Sequence, residues 1–406
     1  MPVPPERIPH APMPVQSDVA GVGDDVQPGL LADDIEAQTA LDAEAPQEQL
    51  VEERETTAEP AGPMTPRRML ITGIVILVSL GGFYFLLPKL AGLNQTWGQL
   101  RRGDPFWLAL GAAFEVLSIG GYALLFGTIF RRGMPRLNLR ASVEIPLAGI
   151  AAIRLLAAAG AGGVAVTVWA LRRAGMPSRT IACRMVANYI VQYSVYLGAI
   201  IVCGFGLRLG VFAGEAPWVL TVVPALLSIG VVILVASMGL VPHDFEVRLQ
   251  ELAGHSGRIA RLAARFATAP ATVGSGVRTV IKLIRERRLG LLGALAYWGF
   301  DIAVLGLSFR AFGSVVPVAV LILGYFLGTL GSLLPLPGGI GGVEGGMIGA
   351  FVAFGISGSH ALIAVLAYRA ISFWLPTLPG VVGYLSLRST VRGWGQSREA
   401  GRSATA

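Results

Sequence analysis

Five ionisable side chains interrupt the long apolar stretches of this sequence, and their types suit them to chemistry. They are Glu115, Arg154, Asp301, Glu344 and Arg369. A charged side chain inside a membrane-spanning segment is costly, so such residues are functional candidates by default. Arg154 and Arg369 could together hold a phosphate, because the planar guanidinium suits bidentate contact with phosphate oxygens. These two arginines are therefore candidate ligands for an anion at membrane depth.

The three carboxylates have open interpretations. Glu344 falls in the first turn of a short helix that follows "PLPGGIGG", where the helix dipole favours the ionised form. It is either a counter-ion or protonatable coupling group beside Arg369, or half of a buried ion pair that only locks the backbone. Asp301 and Glu115 are candidate coupling groups. The alternative for each is that it satisfies backbone groups at a helix kink.

The elements that position these residues must cross a membrane. The chain has 406 residues, of which 53% are hydrophobic and 14% charged, and its mean hydropathy is +0.64. Several apolar runs exceed the roughly 18–20 residues that a bilayer crossing needs. No metal-ligand spacing, nucleophile–base pair or phosphate-binding loop is visible. We therefore expect no metal, no cofactor and no enzymatic activity.

Charge divides the chain into three regions. Residues 1–66 carry 14 Asp and Glu but only 2 Arg, which predicts a disordered, acidic, Pro-rich cytoplasmic tail. Residues 67–390 form the predicted transmembrane domain, and 391–406 a short basic cytoplasmic tail. Within the domain, residues 242–288 are a basic cytoplasmic loop that could form amphipathic helices on the membrane surface. Attraction to anionic lipid explains this positive charge more simply than nucleic acid, which we do not expect as a partner.

Six segments are predicted to span the membrane fully. The excess of Lys and Arg in alternate loops predicts that both termini are cytoplasmic. The predicted spans are Met69–Leu87, Phe106–Phe130, Met185–Phe205, Trp218–Val241, Leu289–Phe309 and Ala361–Leu387.

Two further regions are too broken to be simple spans. Each has a long helix, a glycine-rich break and a short helix, within 144–174 and 315–355. The short pieces reach roughly 17–20 Å, less than the hydrocarbon thickness of about 30 Å. Each region is therefore predicted to be a re-entrant helical hairpin. Three full spans separate the hairpins, so they enter from opposite faces, as in the inverted repeats of transporters.

The break in the second region has a physical reason. Pro335 and Pro337 end the preceding helix, and Gly338, Gly339 and Gly341 permit the reversal because glycine adopts positive φ without strain. The following helix then presents its unpaired N–H groups to the membrane interior. Those donors form a predicted site for negative charge.

The motif "PLPGGIGGVEGG", followed by "LAYRAISFWLP", resembles the membrane-domain family of lysylphosphatidylglycerol synthase/flippases. The resemblance covers about residues 67–390. It implies a helical bundle with two re-entrant hairpins that moves an anionic or aminoacylated phospholipid between leaflets. The residues it implicates are Pro337, Gly338, Gly339, Gly341, Glu344 and Arg369. Only 19 residues follow Leu387, so we expect no synthase domain and no synthase reaction.

The sequence thus predicts an all-α, polytopic membrane protein of the bacterial cytoplasmic (inner) membrane, flippase-like, with phospholipid as its partner and homo-oligomerisation open. The substrate head group would lie near Arg154, Glu344 and Arg369. One rival is a secondary transporter of a small anionic solute. Another is a non-catalytic accessory subunit of a lipid-modifying enzyme.

Overall fold

The computed structural model describes residues 102–155, 161–239, 258–333 and 339–403. Every regular element in these residues is a helix, so the predicted all-α class is confirmed. The α-helices, in chain order, are α1 (Pro105–Phe130), α2 (Leu139–Leu155), α3 (Ala161–Ala174), α4 (Ser178–Arg208), α5 (Trp218–Gly239), α6 (Arg258–Arg285), α7 (Gly293–Ala311), α8 (Val318–Thr329), α9 (Gly342–Ala353) and α10 (Gly358–Ser403). Short 3-10 turns, Leu289–Leu292 and Leu330–Leu333, precede α7 and follow α8.

Five of these segments are long and apolar enough to cross a membrane. They are Pro105–Phe130, Ser178–Arg208, Trp218–Gly239, Leu289–Ala311 and Gly358–Trp394. They coincide with five of the six predicted spans. The remaining predicted span, Met69–Leu87, and the acidic tail 1–66 lie outside the described residues.

The bundle has one end rich in arginine, which we call the basic end. It contains Arg131, where α1 stops, and Arg288, just before α7 begins. Helices α1 and α7 are antiparallel, because the Asp104 N–H at the start of α1 donates to the carbonyl of Ala311 at the end of α7 (2.9 Å). Helix α4 starts at the basic end, where Arg184 donates to the Phe130 carbonyl (2.8 Å).

The two pairs of shorter helices are attached at opposite ends of this bundle. Helix α2 follows the loop in which Arg131 donates to the Leu137 carbonyl (3.2 Å), and α3 leads directly into the start of α4, so this pair is attached at the basic end. The loop between α4 and α5 contacts both the start of α8 and the end of α9. There, a Cβ added at Gly214 would lie 2.6 Å from Val320, and one at Gly355 would lie 2.6 Å from the Glu215 carboxylate.

Each pair of shorter helices has its own apolar core. One core cluster combines Ile145 and Leu171 of the first pair with the end of α1, the start of α4 and the late residues of α10. The other combines Phe326 and Met347 of the second pair with the end of α4, α7 and the early residues of α10. Helix α10 therefore runs through both cores, and the stretch between them holds Arg369.

The basic segment 242–288 is helical over Arg258–Arg285. Residues 240–257 lie outside the described residues. The later part of α6 packs against α4 and α5, since Gly276 contacts Val186, and Cys183 and Ser275 form a hydrogen bond (3.0 Å). The helical prediction is confirmed for this part, and a location on the membrane surface stays a prediction.

Candidate functional site

Helix α10 carries four functional side chains over three turns. Tyr368 and Arg369 point to two different acidic groups, and Phe373 and Thr377 follow one and two turns after Arg369. Arg369 is 11 residues from the start of α10 at Gly358, or roughly 16 Å at 1.5 Å per residue. That distance is about half the hydrocarbon thickness of a bilayer. A helix that entered the bilayer at Gly358 would carry these side chains to about mid-depth.

Arg369 forms a buried ion pair with Glu344. The Arg369 Nε donates to Glu344 Oε1 at 2.7 Å, and the two side chains are only 11% and 5% exposed. The pair links α10 to the first turn of α9. The sequence left this ion pair as one of the alternatives for Glu344, and the structure shows the contact.

The second oxygen of Glu344 caps its own helix. Glu344 Oε2 accepts a hydrogen bond from the Gly341 N–H at 2.7 Å. Gly341 has φ of +84°, a left-handed conformation that favours glycine. The Glu344 carboxylate therefore accepts a hydrogen bond from an N–H group that the sequence analysis predicted to be available to a substrate. With both oxygens engaged, the contacts favour the interpretation in which Glu344 locks the backbone.

Arg154 meets the same part of α10 from the end of α2. Its Nη1 donates to the Phe373 carbonyl and to Thr377 Oγ1, the latter at 3.3 Å. The Phe373 carbonyl also accepts a hydrogen bond from the Thr377 hydroxyl, so Arg154, Phe373 and Thr377 form one small network. Within the described residues, Arg154 donates only to neutral oxygens, in contrast to Arg369.

The two arginines flank one aromatic ring. The Cζ atoms of Arg154 and Arg369 lie 5.4 and 5.5 Å from the centroid of the Phe373 ring. Both distances are within the range of cation–π attraction. The structure therefore brings the two candidate cations together at one aromatic ring, Phe373, which the sequence analysis did not single out.

Asp301 is the centre of a second polar group. Its carboxylate, on α7, accepts hydrogen bonds from the hydroxyls of Tyr325 on α8 and Tyr368 on α10, the latter at 3.2 Å. Asp301 is 8% exposed and Glu115 is 4% exposed. The Glu115 carboxyl group on α1 lies within interaction range of Asp301. Four helices thus meet at two neighbouring carboxyl groups.

Some buried polar atoms around this group have no hydrogen-bond partner among the described residues. They are Glu115 Oε2, Asn188 Oδ1 and Gln192 Nε2. Unpaired buried polar atoms are rare in folded proteins, and each one suggests a bound water, ion or ligand group. Asn188 and Gln192 are one turn apart on α4, where the Trp298 indole also donates to the Gln192 carbonyl (3.1 Å).

The structure places most of the predicted site residues in one region. Arg369 and Glu344 are paired, Arg154 joins Arg369 across Phe373, and Asp301 lies beside Glu115. Gly339 and Gly341 have φ of +68° and +84°, as a sharp reversal requires. The remaining candidates Gly338, Pro335 and Pro337 lie outside the described residues.

Sequence reasoning missed the uncharged members of the site, which are Tyr325, Tyr368, Phe373, Thr377, Asn188 and Gln192. Helical spacing would have found two of them, since Phe373 and Thr377 are four and eight residues after Arg369. The two amides also follow helical spacing within an apolar span. Tyr325 carried no sequence signal, because only packing of α8 against α7 brings it to Asp301.

Comparison with known proteins identifies relatives along most of the chain. A family model described as the lysylphosphatidylglycerol synthase TM region matches residues 70–380. A UPF0104 membrane protein of Methanothermobacter thermautotrophicus is 26% identical over 341 residues, covering 80% of this chain and 96% of the relative. Shorter matches to proteins of that description and organism have 37% identity over 103 residues and 36% over 115, spanning about 29% and 34% of the relative. The resemblance drawn from residues 335–346 and Arg369 is confirmed.

Proposed function

This chain belongs to the lysylphosphatidylglycerol synthase TM region family, and from that premise we propose that it moves an anionic phospholipid between membrane leaflets. The proposed activity is translocation, with no chemical change to the lipid. The multi-pass helical bundle provides the membrane setting. The central polar cluster provides groups for a charged head group that lipid tails cannot solvate.

One observation carries the proposal. Two guanidinium groups, Arg154 and Arg369, lie within cation–π distance of the same Phe373 ring inside an apolar helical bundle. Arg369 is neutralised by Glu344, whereas Arg154 donates to the Phe373 carbonyl and the Thr377 hydroxyl. A phosphate would be a stronger acceptor for Arg154 than these neutral oxygens, because hydrogen bonds between ionised groups are the stronger ones. Arg154 is therefore the residue proposed to exchange its partners for the head group.

The helix pairs supply the proposed pathway. We interpret α2 with α3, and α8 with α9, as re-entrant hairpins that enter from opposite ends of the bundle, alongside six full spans. Their attachment at opposite ends, and lengths of 12 to 17 residues for the four helices, support this interpretation. Rocking of one hairpin against the other would open the central cluster first to one leaflet and then to the other. The arginine-rich end is proposed to face the cytoplasm.

The neighbouring carboxyl groups of Glu115 and Asp301 are proposed to hold one proton between them. Two carboxylates at close range disfavour simultaneous ionisation, and both lie in a poorly solvated interior. Tyr325 and Tyr368 connect this pair to α8 and α10, and Arg154 is the nearest cation that bears on it electrostatically. Gain or loss of that proton would couple translocation to pH.

The test is lipid movement in vesicles that contain the purified full-length protein. A fluorescent phosphatidylglycerol is distributed in both leaflets, and a membrane-impermeant quencher reports how fast inner-leaflet lipid reaches the outside. We expect the rate in the Arg154→Gln variant to fall by about tenfold, as the loss of one charge-assisted contact implies. The matched control is Arg173→Gln, which removes an exposed arginine at the basic end.

Three results would contradict the proposal. The first is equal lipid movement by wild type and the Arg369→Ala/Glu344→Gln double variant. The second is equal loss in Arg154→Gln and the Arg173→Gln control. The third is uptake of a soluble anion with no movement of the labelled lipid, which would identify a secondary transporter instead. Melting temperatures of each variant show whether the folded protein was assayed.

A further inference from the structure

A cleft at the basic end lies away from the central cluster and has not been assigned a role. Its volume is about 840 Å³, and it lies between the end of α1, the loop before α2, and the turn that precedes α7. Its lining residues include Arg131, Arg132, Leu124, Arg288 and Leu289. Charged and apolar side chains thus share one concave surface.

The charged side of the cleft has more cations than carboxylates. Arg132 Nη1 and Arg288 Nε both bind the single carboxylate of Glu286, at 2.8 and 3.1 Å. Hydrogen bonds from Arg132 and then from Arg288 hold the pKa of Glu286 below its usual range, so this carboxylate stays ionised. Arg131 uses only its Nε within the described residues, on the Leu137 carbonyl. Three guanidinium groups therefore face one negative charge.

The helix end beneath the cleft is already satisfied by another residue. Arg184 donates to the Phe130 carbonyl at 2.8 Å and to the Arg132 carbonyl at 2.9 Å. These are backbone acceptors at and beyond the end of α1, where helix carbonyls lack partners and carry partial negative charge. Because Arg184 donates hydrogen bonds to these carbonyls, the arginines of the cleft are not needed to cap this helix. Their positive charge remains available to an external anion.

The apolar side of the cleft is exposed. Leu289 is 77% exposed and Leu124 is 54% exposed. Both lie on candidate membrane spans, Leu289 at the first residue of one and Leu124 within the last two turns of another. In a bilayer, leucines at these positions would face acyl chains where the span leaves the hydrocarbon, and the arginines would lie at the head-group level. A free phosphate would contact only the arginines of the cleft. A phospholipid would contact the arginines with its head group and the leucines with an acyl chain.

We propose that this cleft binds a phospholipid with an anionic head group, the phosphate lying between Arg132 and Arg288 and an acyl chain along Leu124 and Leu289. The site is distinct from the central cluster. Lipid binding there stands independently of whether the protein moves lipid across the membrane. If translocation also occurs, the cleft is where lipid from the basic-end leaflet is held before entry.

The test is retention of added lipid by the full-length protein in detergent, counted by native mass spectrometry. The lipids are phosphatidylglycerol and phosphatidylcholine at matched acyl composition. The Arg132→Gln/Arg288→Gln variant removes two cations whose side chains are about half exposed, 52% and 51%. The matched control, Arg173→Gln/Arg179→Gln, removes two exposed arginines at the same end that do not line the cleft.

We expect the cleft variant to retain phosphatidylglycerol about tenfold less than wild type, and the control to retain it within about twofold. A Leu289→Ser variant should weaken retention of phosphatidylglycerol without altering its preference over phosphatidylcholine. If the cleft and control variants lose equal amounts, or both lipids are retained equally, the site is overturned. Displacement by millimolar inorganic phosphate as effective as by lipid would also overturn it. An Arg154→Gln variant that keeps this binding but loses transport separates the two proposals.

Discussion

The two pairs of shorter helices share an outline but treat charge in different ways. In the pair α8 and α9, the charged residue Glu344 is held by the Gly341 N–H and by Arg369, and both of its oxygens are used. In the pair α2 and α3, the charged residue Arg154 contacts a carbonyl and a hydroxyl of α10. The charge of the second pair is therefore hydrogen-bonded to an opposite charge. Arg154 of the first pair is hydrogen-bonded to neutral groups, and Glu115 and Asp301 act on it electrostatically without a hydrogen bond.

Packing around the glycines also differs between the two pairs of shorter helices. A Cβ at Gly331 would lie 2.0 Å from the backbone carbonyl oxygen of Gly342, so the chain on either side of the second break is in backbone contact. In the first pair, a Cβ at Gly163 would first meet the flexible Ile153 side chain at 2.6 Å, and then the Gly149 carbonyl at 2.9 Å. From this comparison we expect the pair α8 and α9 to be the more rigid one, and the pair α2 and α3 to change conformation more readily.

The largest expected effect is on the buried ion pair. Arg369→Ala leaves the Glu344 carboxylate buried and unpaired, which typically costs about 3–5 kcal/mol. Arg154→Ala removes hydrogen bonds to neutral oxygens and should cost about 1–3 kcal/mol. Thermal unfolding in detergent compares the two. In addition, the Glu344→Gln/Arg369→Gln double variant should be less destabilised than Arg369→Ala, since no charge is left unpaired.

Equal destabilisation by Arg369→Ala and Arg154→Ala would contradict the proposed difference between the two pairs, because both arginines would then contribute equally to stability.

The next effect concerns close packing at the glycines. Gly331→Ala should lower the free energy of unfolding by about 3 kcal/mol, since the added methyl group meets backbone that cannot move aside. Gly163→Ala should cost less, about 1–2 kcal/mol, because the Ile153 side chain can change rotamer and the Gly149 carbonyl, 2.9 Å from the added Cβ, needs only a small shift. The control is Gly345→Ala in α9, where an added Cβ meets nothing within 4 Å. It should be neutral or slightly stabilising, because alanine favours a helix over glycine.

Thermal unfolding in detergent measures this order as well. A larger cost at Gly163 than at Gly331 would reverse the assignment of the rigid pair.

The smallest effect is on the pH dependence of transport. Asp301→Asn removes one of the two neighbouring carboxyl groups, so no proton is shared between them. We expect the transport rate of wild type to change with pH, and that of the variant to vary by less than about twofold over the same range. Tyr368→Phe removes one hydrogen bond to Asp301 but keeps both carboxyl groups, so its transport rate should still vary with pH. If the transport rate of Asp301→Asn varies with pH as much as that of wild type, the Glu115–Asp301 pair does not couple transport to pH.

The candidate site was partly readable from the sequence. A charge in an apolar run stands out by type alone, which is why Glu115, Arg154, Asp301, Glu344 and Arg369 could be nominated. Glycine and proline likewise mark a helix break locally, because their backbone preferences do not depend on partners. For Glu344 the sequence left open a coupling role or a buried ion pair with Arg369, and only the structure shows the contact between the two residues.

The sequence alone determined the helical class, the positions of five membrane-spanning segments and the family, since these depend on hydrophobic length and on local motifs. Only the tertiary structure decided which charges are neutralised and which are held by neutral groups. It placed both arginines near the Phe373 ring, brought Tyr325 to Asp301, and let the Glu344 carboxylate cap the N-terminus of α9. These outcomes depend on contacts between helices distant in sequence, such as α2 with α10, and no local pattern encodes which faces of two helices will meet.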